Sequence, residues 1–195
     1  MPGTRMREEV FLPRRHSVRL PTFDYSSSTA YFITICTQDK RRLFGEVSGY
    51  AVALNSIGKI VEHCWLDIPS HFARVELGLH VIMPNHLHGI IRLLPPEADG
   101  GLVAKHPRRA QHAVPLRPDT VRSFAAMTPN SIPAIVRSFK SAATAAIRTS
   151  LGGSSLSVWQ RGYHEHVIRD EDDFRNTCEY IRMNPARWEF DEDNS

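Results

Sequence analysis

Cysteine is scarce in this chain of 195 residues: Cys36, Cys64 and Cys178 are an odd number, widely spaced, with no C-x-x-C pair and no histidine at zinc-finger spacing. That argues against a disulfide scaffold and a cysteine-based zinc module. Runs of 18 or more apolar residues are absent, and Met1 to Leu20 lack the apolar core of a secretory signal. The expectation is a protein of a reducing cytoplasm with no membrane partner. No internal repeat occurs. Apolar residues at 42% and charged residues at 23% match an ordinary globular chain, and the length fits one compact unit. A net charge of +3 with a pI near 8.9 admits a nucleic-acid partner without requiring one.

The charge is unevenly placed. Residues 1–28 form a basic arm, with Arg5, Arg7, Arg14, Arg15 and Arg19 against Glu8 and Glu9 in its first twenty positions, and 191–195 form an acidic tail. Between them, 29–190 read as one domain. Tyr31 to Thr37 is β-branched and aromatic and predicts a strand. After Asn55, apolar residues recur at Ile57, Ile60, Val61, Cys64, Trp65 and Ile68, the spacing of a helix that stops at Pro69. Val75 to Ile82 and His86 to Leu94 predict a hairpin turned by Pro84 and Asn85. Positions 95–129 are rich in Pro, Gly, Ala, Arg and His and predict a long basic loop. A helix follows from a Ser131 N-cap and Pro133 to Gly152-Gly153. Val158 to Arg169 predict a last strand kinked near Gly162, and Asp170 caps a final helix ending at Asn184-Pro185. The order predicts an α+β fold, a ferredoxin-like sandwich with helices packed on an antiparallel sheet.

The segment Met83-Pro-Asn-His-Leu-His-Gly-Ile-Ile91 carries the most chemistry. Alternation on a strand puts His86 and His88 on one face and turns Leu87 into the core, and two adjacent imidazoles on a rigid strand suit a divalent metal. Such pairs also arise in other contexts in a chain with ten histidines. His164 and His166 form a second pair, with His166 read as a core or supporting residue and His164 as partly exposed. On the last helix, Tyr180 and Asn184 are four apart and share a face. A phenol there can act as a nucleophile, and an amide oxygen is a hard donor for Mg²⁺ or Mn²⁺. Plain packing of Tyr180 against Phe174 and Ile181 explains the same spacing.

Five blocks carry a resemblance: Tyr31-Phe-Ile-Thr-Ile-Cys-Thr37, Val81-Ile-Met-Pro-Asn-His-Leu-His-Gly-Ile90, Ile135-Val-Arg-Ser-Phe-Lys140, Trp159-Gln-Arg-Gly-Tyr-His-Glu-His-Val-Ile-Arg169 and Tyr180-Ile-Arg-Met-Asn-Pro185. In this order they resemble the REP-associated tyrosine transposases, a branch of the single-tyrosine HUH transposases. The resemblance implies that His86 and His88 are metal ligands, with Asn184 as the third and Mg²⁺ or Mn²⁺ as the cofactor. It implies that Tyr180, on a C-terminal helix, is the catalytic nucleophile, forming a 5′-phosphotyrosine link. The implied substrate is single-stranded DNA with a hairpin, such as a REP-like palindrome, and the implied place is the nucleoid. His164 departs from the large aromatic expected in relatives. The resemblance leaves monomer and homodimer open.

Arg14, Arg15 and Arg19 of the arm, Arg108 and Arg109 of the loop, and Arg137 and Lys140 of the preceding helix are the candidate DNA contacts. Two other functions fit the same residues. One is a DNA-hairpin-binding protein without turnover. The other is a metallohydrolase using His86, His88 and a water, with Glu165 as acid or base and no need of Tyr180.

Overall fold

The computed structural model describes residues 29–95, 130–153 and 155–190. Two split β-α-β units interleave in it. The first strand, β1 (Ala30–Cys36), is followed by a small antiparallel hairpin, β2 (Gly45–Ser48) and β3 (Ala51–Leu54). Helix α1 (Ser56–Leu66) and the short α2 (Ile68–His71) lead to β4 (Val75–Ile82) and β5 (His86–Leu93). Helix α3 (Ile132–Ser150), strand β6 (His164–Ile168) and helix α4 (Glu171–Met183) complete the order, with a 3-10 helix over Pro185–Phe190 behind them. The main sheet runs β4-β5-β1-β6, every neighbouring pair antiparallel. β1 is therefore parallel to β4 across β5, and β5 to β6 across β1, which is the ferredoxin-like arrangement the element order predicts.

Both sheet faces are covered. On one, Tyr31, Ile33 and Ile35 of β1 and Leu87, Ile91 and Leu93 of β5 pack with Val61 and Trp65 of α1 and Ile135, Phe139, Ala143 and Ile147 of α3. Each fully buried aliphatic chain there contributes about 1.5–3 kcal/mol. On the other, Ile90 and Ile168 meet Cys178 and Ile181 of α4, flanked by Phe32, Val81 and Phe174. The alternation of β1 and β5 thus serves two cores with one set of strands.

Local chemistry sets the ends. Asn55 caps α1, its Oδ1 accepting from the Gly58 amide at 2.9 Å, and Asp170 caps α4 by accepting from the Asp173 amide at 2.8 Å. Ser131 takes the extended backbone of an N-cap, but its side chain makes no capping bond.

Four expectations need correction. Helix α1 ends at Leu66, and Pro69 does not stop a helix but sits in the first turn of α2, where its missing N–H costs nothing. The last strand is confined to His164–Ile168. Upstream, Gly162 adopts φ +82°, and the Lys140 ammonium takes the carbonyls of Gln160 and Gly162 at 2.7 and 2.8 Å, leaving only a bridge between Thr37 and Trp159. The β2–β3 hairpin is additional, as is the 3-10 helix beyond Asn184-Pro185. The arm, most of the basic loop and the acidic tail lie outside the described residues.

At Gly89 strand β5 and helix α1 meet closely. A Cβ there would lie 2.3 Å from Cζ2 of Trp65, a ring that is fully buried. Gly89→Ala is expected to destabilise the fold by about 1–3 kcal/mol through overpacking, measured as a lowered urea midpoint. An unchanged midpoint would contradict this packing.

Candidate functional site

His86 opens β5 and His88 follows two residues later on the same face, while Leu87 is fully buried in the opposite core. The imidazoles stand with ring centroids 4.4 Å apart, exposed by 0% and 2%. Their orientations are set from behind. His86 Nδ1 is 2.7 Å from Asn85 Oδ1; an amide oxygen only accepts, so Nδ1 carries the proton and Nε2 the lone pair. His88 Nδ1 lies 2.8 Å from Thr34 Oγ1, and Thr34 is its register partner on β1. Such outer partners fix ring orientation in histidine metal sites.

Helix α4 brings Tyr180 over this pair. Its hydroxyl is 3.5 Å from His88 Nε2, and its ring meets His88 at 5.2 Å. Phe32, which the sequence offers only as a strand residue, stacks on His88 at 5.3 Å and meets Tyr180 edge-on at 5.9 Å. It wedges the phenol at a fixed height above the imidazoles. Asn184 is buried at the end of α4 with helical φ −58° and ψ −44°. It stands one α-helical turn after Tyr180, which touches His88, and the 3-10 helix beyond it carries Trp188, whose ring lies 6.0 Å from that of His86. The face of α4 that carries Tyr180 therefore also carries Asn184.

The donor set fits a divalent cation. It offers two imidazoles and, on the adjoining helix face, an amide oxygen. Among the described residues no three His, Cys, Asp or Glu side chains converge. Burial first, and the neighbouring His86 second, hold His88 well below the ordinary imidazole value, keeping it in the neutral form a metal requires.

The other candidates lie elsewhere. Arg137 is exposed on α3, and Lys140 is held by Gln160 and Gly162; both belong to the helix packed on the far side of the sheet. Burial pushes the Lys140 ammonium down to about 8. Arg14, Arg15, Arg19, Arg108 and Arg109 lie outside the described residues. His166 has a separate task. Its Nε2 stands 2.9 Å from both carboxylate oxygens of Asp173, which also accept from the Arg169 amide at 3.1 Å. Burial raises the Asp173 carboxyl, but these bonds outweigh it and hold it below the usual value. The pair ties β6 to the first turn of α4. Glu165 pairs in register with Ile33, on the sheet face opposite His88, and accepts from the Tyr163 hydroxyl at 3.0 Å. It is not placed to serve a water near His86 and His88 as acid or base.

The fold, an antiparallel ferredoxin-like sheet packed against helices, is similar to that of a solved transposase. The chain is similar to the solved structure of a REP-associated tyrosine transposase bound to a REP hairpin, at a TM-score of 0.50 and 19% identity, over 82% of this chain and 68% of that one. No family model matches the sequence. The chain belongs to one family with an uncharacterized protein of Haemophilus influenzae, to which it is 38% identical over 178 residues, 91% of this chain and 92% of that protein. Among the described residues no helix is long and apolar enough to cross a membrane.

The buried imidazole makes stability depend on pH. The unfolded His88 titrates near 6.5 while the folded one titrates well below it. Its contribution is complete above about 6.5 and is lost as pH falls from there toward the folded value, because only the unfolded chain takes up the proton. In EDTA, urea unfolding below pH ~6.5 is expected to show a slope steeper by up to about 1.4 kcal/mol per pH unit than that of His88→Gln. Parallel curves would contradict it.

Proposed function

We propose that this protein is a metal-dependent, single-stranded DNA endonuclease and strand transferase that uses Tyr180 as its nucleophile, acting on hairpin-bearing DNA. The observation that carries the reading is the Tyr180 hydroxyl 3.5 Å from His88 Nε2, above a buried pair of imidazoles. The likeness in fold to a transposase bound to a REP hairpin supports the substrate class.

His86, His88 and Asn184 would hold the cation, Mg²⁺ or Mn²⁺, and when bound it would supply positive charge to the phosphoryl oxygens. Everything else falls to the chain. Phe32 and the turn of α4 hold the phenol so that its oxygen can approach phosphorus in line with the departing group. The Tyr180 O–P bond forms as the P–O3′ bond breaks. The phenolic proton leaves the tyrosine, and the 3′-oxygen departs as a hydroxyl. The 5′-phosphotyrosine link retains the ester energy, so a 3′-hydroxyl can attack it later, releasing the phenol and rejoining DNA without a nucleotide cofactor. The Asn85 and Thr34 contacts keep the imidazoles in their ligating orientation through both steps.

The test is incubation with hairpin-bearing single-stranded oligonucleotides and Mg²⁺ or Mn²⁺, followed by denaturing gels and peptide mass spectrometry. A covalent adduct on Tyr180 is expected, absent in Tyr180→Phe and reduced at least a hundredfold in His86→Ala. Hairpin binding with no adduct under either metal would replace this reading with a binding protein that does not turn over. Metal-dependent cleavage indifferent to Tyr180→Phe would replace it with a hydrolase.

A further inference from the structure

Beside His86 the surface changes character. The turn after β1 carries Lys40, Arg41 and Arg42 in succession, the last two exposed. It is bolted to the site: the Thr37 amide donates to the Asn85 carbonyl at 2.8 Å. The Thr37 hydroxyl lies 2.7 Å from the Arg41 carbonyl and 2.9 Å from that of Asn85, and Asn85 in turn orients His86. Asp39 and Lys40 both adopt left-handed backbone, φ 55° and 52°. For Lys40 that conformation is uncommon. The Arg42 guanidinium lies 5.5 Å from the centre of the Trp188 ring, and that ring lies against His86. Arg187 and Phe190 share the 3-10 helix with Trp188, and Phe190 is 86% exposed. The acids on these two elements are Asp39, whose carboxylate accepts from Gln38, and Glu189.

We propose that this basic turn and the 3-10 helix form the surface that holds the unpaired DNA strand next to the cleaved phosphate, with Arg41 and Arg42 on backbone phosphates and Phe190 stacked on a base. Exposed guanidinium groups and an exposed aromatic ring on two adjoining elements, joined here by the packing of Arg42 on Trp188, are what an unpaired nucleotide chain binds: phosphates take the charge, and an unstacked base covers the ring. Duplex DNA offers the phosphates without the free base faces. Arg42 serves twice, since its packing on Trp188 also steadies the ring against His86. The proposal rests on the single-stranded DNA reading above and adds to it a location distinct from α3 and the arm.

The experiment is fluorescence anisotropy with a labelled oligothymidylate, titrated in EDTA at several salt concentrations, alongside the adduct assay. Arg41→Ala and the Arg41→Ala, Arg42→Ala pair are expected to weaken binding, about tenfold for the pair, and the pair to flatten the logarithmic salt slope by about 1.4, the value for two phosphate contacts on a single strand. Phe190→Ala is expected to weaken binding about tenfold with the salt slope unchanged, and Phe190→Trp to restore it. Arg148→Ala, on the far helix layer, is expected to bind as the parent does. If the parent binds and forms its adduct while the Arg41, Arg42 and Phe190 variants match it, the surface assignment is wrong and the catalytic reading stands. If those variants lose binding but the parent forms no adduct, the surface stands and the catalytic reading falls. A parent that binds no oligothymidylate overturns the surface.

Discussion

The whole arrangement hangs on the register of β5. Its side chains serve two masters: Leu87, Ile91 and Leu93 enter the core shared with α1 and α3, while His86, His88 and Ile90 face α4. A slip of one residue would exchange the two sets, putting imidazoles into an apolar core and leucine beneath the tyrosine. Burial of the leucine side is therefore what holds the histidine side in place. Gly89, pressed by the Trp65 ring, pins the register at the residue next to His88.

Around that strand, supports arrive from distant parts of the chain. β1 contributes Thr34 to orient His88 and Phe32 to wedge Tyr180. The tyrosine helix is secured near both ends, by Asp173 on His166 at its start and by Trp188 on His86 just beyond its end. A half-buried phenol and two buried imidazoles hold their mutual geometry because neither the strand nor the helix is free to shift alone.

Much of this was legible from residue order. The H-x-H alternation, the four-residue interval between Tyr180 and Asn184, the Asn55 and Asp170 caps and the β-α-β-β-α-β succession are local patterns, and local patterns survive translation into structure. What escaped was non-local. Phe32 and Thr34 read as ordinary strand residues, and only the pairing of β1 with β5 gives them roles. Trp188 lies past a proline that ends the helix by every local rule, yet the 3-10 helix carries it back to His86. The β2–β3 hairpin, four residues a side around Gly49, is too short to display a period. His164 and His166 share the site's sheet face, but the partner of His166 is a carboxylate seven residues on, in a different element.

The 92-residue interval between His88 and Tyr180 has a consequence for how the protein is made. Synthesis proceeds from the N-terminus, and contacts between distant segments form last. The imidazole pair and most of its supports are encoded by residue 93, whereas the phenol emerges only near the end of the described chain. Under the proposed chemistry, a nascent fragment carries a place for a cation but no nucleophile. On that reading the site is completed only when the sheet already has its fourth strand and the last helix can close over it, so a chain cut short in translation lacks the group that would attack DNA.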